Sequence, residues 1–146
     1  AALLLIIVVL IFRKKKKPVV TVVEPPVDPY KEAMTQLEKL QKEKPEVKQY
    51  YSKLVDIFRI YVLNKTGIHS LQNTTDDLVS QLRELKIPKE QFEKLSQSLR
   101  LSDFVKFAKY IPSSEDDKNS FDTINWSIQK IEQLTMNNVE QKDIKS

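Results

Sequence analysis

From Pro29 onward the apolar residues recur every three or four positions, the spacing that places side chains on one face of a helix. Tyr30, Ala33, Met34, Leu37 and Leu40 form the first such stripe. Val47, Tyr51, Leu54, Val55, Phe58 and Val62 form the longest, and Tyr50, Ile57 and Tyr61 widen it. A stripe that broad predicts a central helix touched on two sides. Leu78, Val79, Leu82 and Leu85 give a shorter inward face, and Phe121, Ile124, Ile128, Ile131 and Leu134 give the last. One segment changes phase. Phe92, Leu95 and Leu99 share a face, but Leu101, Phe104, Val105 and Ala108 centre on the opposite one. Either the helix breaks near Ser98–Ser102, or its second half is covered from the other side.

The polar residues between the stripes supply starts and stops. Asp28 can cap a helix that has Pro29 at its first position. Pro45 interrupts that helix and can open the next, which Asn64 and Gly67 end. After the loop GIHSLQN, Thr74 or Thr75 caps, and Asp76 and Asp77 sit at the positive end of the helix dipole. A further helix starts near Lys89, and SSEDD opens the last. The pattern predicts an all-α fold, a small bundle of about five helices over residues 29–136. A polar, fraying tail is expected over 137–146. No internal repeat is present.

The first residues follow another pattern. AALLLIIVVLIF is unbroken apolar sequence, followed by Arg13, Lys14, Lys15, Lys16 and Lys17. Twelve helical residues reach about 18 Å, against about 30 Å of hydrocarbon. A signal peptide carries its charges before the apolar run, and here they follow it, as in a stop-transfer sequence. Residues 1–12 are therefore expected to be the C-terminal half of a single transmembrane helix. The five cations mark its cytoplasmic side and form a membrane interface for anionic lipid. A buried core helix is the competing reading, but it gives no reason for five charges at its end. The expected location is the inner membrane, with residues 13–146 in the cytoplasm. Residues 18–29, PVVTVVEPPVDP, hold four prolines and read as an extended spacer. Their VVTVV could instead add as a strand to a partner sheet. The basic run and spacer together occupy residues 13–28.

Charge and composition narrow the chemistry. The net charge of +4 comes from the basic run, because removing those five cations leaves one fewer basic residue than the 20 acidic ones. A near-neutral body is not a nucleic-acid surface. Cysteine is absent, so there is no disulfide framework, Cys metal site or thiol chemistry. Gly67 is the single glycine, which excludes the glycine-rich phosphate loops. His69 has no second imidazole to work with and reads as a loop residue. Asp76 and Asp77 point about 100° apart on a helix and read as capping acids. No catalytic, cofactor, metal or small-molecule site is expected.

Two features suit protein contact. In SDFVKFAKY, Asp103, Lys106 and Lys109 stand three apart on one predicted helical face, and Asp103 and Lys106 can pair. Phe107 and Tyr110 flank that face. Aromatic and cationic residues beside a core stripe suit an interface, and they equally suit a solvated face whose rings pack on a neighbouring helix. Trp126 is the single tryptophan and lies about 140° off its helix's stripe. It is expected to anchor an interface or, more in keeping with a small domain, to cover a second apolar cluster.

The segment EVKQYYSKLVDIFRIYVLNKTGIHSLQNTTDDLVSQL, with LRLSDFVKFAKYIPS further on, resembles the cytoplasmic domain of BatD-like proteins, among the Bat (aerotolerance) membrane proteins of the Bacteroidota. The resemblance covers about residues 30 to 135 and is most specific in YYSKLVDIFRIY, the GI…TTDDL turn and DFVKFAKY…P. Asp103, Phe104, Lys106, Phe107, Ala108, Lys109 and Tyr110 match residue by residue. It implies a layout of secretion signal, periplasmic β-sandwich-like regions, one transmembrane helix and a cytoplasmic helical domain. It also implies association with MoxR-type AAA+ ATPases and with membrane proteins carrying von Willebrand factor A domains. It carries over no catalytic residue. The expected function is a non-enzymatic, membrane-anchored adaptor that binds partner proteins. A module responding to anionic lipid is the alternative, and an enzyme is a distant third.

Overall fold

The computed structural model describes residues 27–145. The expected transmembrane segment, the cations Arg13–Lys17 and most of the proline-rich spacer lie outside the described residues. Within them the chain is all-helical: α1 (Pro29–Glu43), α2 (Val47–Thr66), α3 (Thr75–Leu82), α4 (Lys89–Phe107) and α5 (Ser114–Asp143), with a 3₁₀ turn at Arg83–Leu85. None of the described helices is long and apolar enough to cross a membrane.

The boundaries follow local chemistry. The Asp28 carboxylate accepts from the Tyr30 N–H at 2.9 Å, with Pro29 in the first turn where no N–H is needed. Lys44 turns left-handed (φ 43°) before Pro45, which cannot continue the helix. Gly67 (φ 78°) ends α2, and its N–H reaches the Leu63 carbonyl at 3.0 Å. Thr74 caps α3 by accepting from the Asp77 N–H at 3.2 Å. Ser113 and Asp116 form a reciprocal capping box on α5.

Helix α2 is central and packs against α1, α4 and α5. It buries Tyr51, Leu54, Val55, Phe58, Tyr61 and Val62. Val47, the first residue of the expected stripe, is instead 38% exposed, because it precedes the turn at which α2 meets its neighbours. Two tyrosines tie α2 to α5. The Tyr51 hydroxyl donates to Asp117 at 2.7 Å, and the Tyr61 hydroxyl donates to Glu132 at 2.7 Å, where Lys65 also binds at 3.1 Å. Both ties advance in the same direction, so α2 and α5 run parallel, while α1 and α4 run against them. The Lys53–Glu43 ion pair at 3.3 Å fixes the α1–α2 hairpin. The bundle therefore has two ends. One gathers the end of α1, the start of α2, the end of α4 and the start of α5. The other, about 30 Å away along α2, holds Asp28 and the start of α1.

Helix α4 shows no break at Ser98–Ser102. Its inward face is Leu95, Leu99, Ser102 and Val105, with Ser96 beside it. The serine hydroxyls donate back to the carbonyls four residues earlier, Ser96 to Phe92 at 2.8 Å and Ser102 to Ser98 at 3.0 Å. Buried small hydroxyls thus carry the core stripe through the stretch where a break was one of the two expectations. Val105 belongs to that stripe, Leu101 is half-buried, and Phe104 and Ala108 are exposed. At the other boundary, α5 continues past Met136 to Asp143, with every residue of that stretch exposed. The expected fraying tail is thus helical as far as Asp143.

Candidate partner-binding surface

The exposed last turn of α4 leads into a short connection whose geometry is set by its sequence. Ala108 closes the helix, its N–H reaching the Phe104 carbonyl at 3.0 Å, and the Tyr110 N–H reaches the same carbonyl at 3.3 Å. Lys109 adopts φ 54°, which turns the chain out of the helix. Ile111 precedes Pro112, a position that excludes helical backbone. The Tyr110 hydroxyl donates to Asp116 at 3.2 Å, pinning the connection to the first turn of α5. That carboxylate's proximity raises the Tyr110 pKa. The Ser113 N–H, bonded to the Asp116 carboxylate at 2.9 Å, lowers the Asp116 pKa.

This geometry gathers large apolar side chains in the open. Phe107 is 79% exposed, Ile111 87%, Phe104 58% and Tyr110 47%. The Lys106 ammonium stands 5.7 Å from the centre of the Phe107 ring, a cation–π contact. It does not pair with Asp103, and neither Lys106 nor Lys109 forms an ion pair among the described residues. Lys109 and Tyr110 also lie beyond the end of α4, so the three-residue spacing from Asp103 to Lys109 does not describe one helical face. Asp103, Lys106, Phe107, Lys109 and Tyr110 nevertheless share one end of the bundle.

Trp126 does not join them. It sits three turns into α5, 37% exposed, and lines a groove of about 710 Å³ between α4 and α5 with Leu101, Ser98 and Thr123. It is not part of the core cluster. Gln91 lines the same groove, and its side-chain oxygen is buried without a hydrogen-bond partner. A second groove, about 460 Å³, runs between α1 and α2 over Ala33, Ile57 and Ile60.

Several other polar side chains hold local structure. The Arg59 guanidinium donates to the carbonyls of Ser70 and Asn73 and to the Thr75 hydroxyl, holding the loop between α2 and α3. Asp77 bonds Thr74 at 2.8 Å, Asp76 meets Arg100 at 3.5 Å, and His69 is exposed in its loop. No group of three His, Cys, Asp or Glu side chains able to hold a metal occurs among the described residues.

Phe104 and Ile111 are the members of the surface that sequence reasoning placed elsewhere or passed over. The phase change at Leu101 was the signal for Phe104, and the helix-ending Pro112 was the signal for Ile111. No family model matches the chain, and no curated protein or solved structure is found to match it.

Proposed function

We propose that this protein is a non-enzymatic adaptor. A single-pass membrane anchor holds the helical bundle at the cytoplasmic face of the inner membrane, and the bundle binds partner proteins. The observation that carries this reading is the cluster of Phe104, Phe107, Tyr110 and Ile111, exposed together at one end of the bundle. Exposed large apolar side chains gathered in one place mark interaction sites, whereas scattered ones need no explanation. The anchor rests on the apolar run and on Arg13–Lys17. The resemblance to BatD-like proteins suggests the assembly, one with a MoxR-type AAA+ ATPase and von Willebrand factor A membrane proteins. Anchoring would act by raising the local concentration of such partners beside one another.

The test is cross-linked co-purification of the full chain from membranes, with partners identified by mass spectrometry. Phe107→Ser combined with Ile111→Ser should strongly reduce recovery of the partner while leaving helicity and melting unchanged. Equal recovery from a folded double variant would show that the partner binds elsewhere.

A further inference from the structure

We infer that the outer face of α4 is a contact between two copies of this chain. Each copy places its exposed cluster over the other's α4–α5 groove, about a two-fold axis near Leu101 and Phe104. This goes beyond the adaptor reading, since it needs no other protein. Three observations carry it: a projection and an open groove side by side, the apolar area they leave in water, and the charges at their two ends.

The first is geometric. The groove of about 710 Å³ is lined by Gln97 and Leu101 on α4 and by Trp126 on α5. Phe104 and Ala108 continue that face of α4, three and seven residues beyond Leu101. Asp116, at the groove's end, accepts from Tyr110 at 3.2 Å, so the groove stops where the cluster begins. None of Phe104, Phe107, Tyr110 and Ile111 lines it. The cluster thus projects beside a groove that it does not fill. A second copy, reversed about an axis between Leu101 and Phe104, puts each cluster over the other's groove. Phe104 of one copy then meets Leu101 of the other, and Ala108 meets Gln97. Such an isologous contact closes after two copies. A different protein would have to supply a projection and a groove at the matching spacing, and a second copy has both.

The second is area. At about 150–250 Å² per aromatic side chain, the exposed fractions of Phe104, Phe107, Tyr110 and Trp126 leave on the order of 400 Å² of aromatic surface, and Ile111 adds to it. A standard interface removes about 800 Å² per partner, a little over half of it non-polar. The face therefore holds the apolar area that a stable dimer needs.

The third is electrostatic. At the cluster, Asp103, Glu115, Asp116 and Asp117 outnumber Lys106 and Lys109. Two clusters meeting head-on would bring like excess charge together. At the other end of the groove, Lys89 and Lys94 balance Glu90 and Glu93. The reversed pairing sets the acidic end of each copy against this balanced end and avoids the repulsion.

The chain contains no cysteine, so introduced cysteines can be cross-linked without background. The purified full chain in neutral detergent, with no other protein present, is treated with a short bismaleimide. Variants are used singly and as mixtures carrying tags of different size. Ile111→Cys mixed with Thr123→Cys should give the mixed cross-link, and Leu101→Cys should cross-link to itself. Glu38→Cys, on α1, reads association through other parts of the chain and should give far less product. In the Leu101→Cys background, Gln97→Glu places a charge opposite the acidic end and should lower the yield about three- to tenfold, whereas Gln97→Lys should preserve or raise it. Gln97 is exposed, so both variants stay folded.

Ile111→Cys cross-linking to itself as readily as to Thr123→Cys would overturn the inference. So would a Leu101→Cys yield no higher than that of Glu38→Cys, or equal effects of Gln97→Glu and Gln97→Lys. These yields are read without any partner. Their failure leaves the adaptor reading standing, and a failed partner capture leaves the dimer standing.

Discussion

Helices α2 and α4 are nearly the same length, 20 and 19 residues, and both carry large aromatic side chains, yet they treat them in opposite ways. In α2, Tyr51, Phe58 and Tyr61 are essentially inaccessible. In α4, Phe104 and Phe107 are mostly in water. The difference lies in where along each helix the neighbours pack. Three helices pack around α2, so its aromatic positions from Tyr51 to Tyr61 all face neighbours. Helix α4 packs on α2 and α5 along one side and touches the short α3, and its far side ends in the connection to α5. An aromatic residue on α2 therefore serves stability, while one at the end of α4 is left in solvent, where the proposed adaptor reading would use it.

The most direct way to break this comparison is to truncate one ring from each helix. Phe58→Ala should destabilise the fold by about 3–5 kcal/mol, because it removes buried area and leaves a cavity that the packed neighbours cannot fill. Phe107→Ala should change stability by no more than about 0.5 kcal/mol. Urea unfolding followed by circular dichroism reads both. A Phe107→Ala cost near that of Phe58→Ala would mean that the end of α4 is packed, and the proposed partner surface would be lost with it.

The same contrast explains how much was legible beforehand. The α2 stripe could be read because every inward position is filled by an apolar side chain, so periodicity reports burial directly. Asp28, Gly67 and Ser113 could be read because capping is local chemistry. Helix α4 is less legible because its inward face uses Ser96 and Ser102, which satisfy their hydroxyls within the helix without adding to the apolar pattern. That substitution made Phe104 and Ala108 look like core residues seeking a partner helix. The end of α4 at Phe107 was hidden for a similar reason. Ala108, Lys109 and Tyr110 are acceptable helix formers, and it is Pro112 further on, with the Tyr110–Asp116 contact across the connection, that turns the chain. Of the candidate surface, the segment was visible in the sequence, but the face it presents depended on what packs beside it.

Alkaline pH should sharpen the comparison at intermediate size. Burial, before any charge, raises the phenol pKa values on α2, that of Tyr50 to about 12 and those of Tyr51 and Tyr61 further still. The phenol of Tyr110 is raised instead by the nearby carboxylate of Asp116. An unfolded tyrosine ionises near ~10, so above that pH the unfolded chain has released protons that the folded α2 retains. The folded state then binds more protons, and stability falls as pH rises. The contribution is complete below ~10 and is lost as pH climbs through the folded values. Melting measured across this range should show the decline. Tyr61→Phe should flatten it, at a cost of about 1 kcal/mol near neutrality for the lost bond to Glu132. Tyr110→Phe should leave the slope nearly unchanged, and a large flattening by that variant would contradict an exposed role for Tyr110.

The smallest effect expected lies where the two helices stop. Helix α2 ends on Gly67 at φ 78°, and the end of α4 turns on Lys109 at φ 54°. A Cβ added at Gly67 meets no atom within 4 Å, so Gly67→Ala tests backbone strain alone and should cost about 1 kcal/mol. Lys109→Gly runs the other way. It removes a left-handed strain of about 1 kcal/mol but loosens the unfolded chain by about 0.5–1 kcal/mol. The two terms nearly cancel, so the melting temperature should barely move. That null result is informative because it would show that the Lys109 side chain contributes nothing to holding the bundle together. A clear loss of stability in Lys109→Gly would instead mean that its aliphatic stem packs against the cluster. Phe107 and Ile111 would then be supported from within, and the end of α4 would resemble α2 more than its exposure implies.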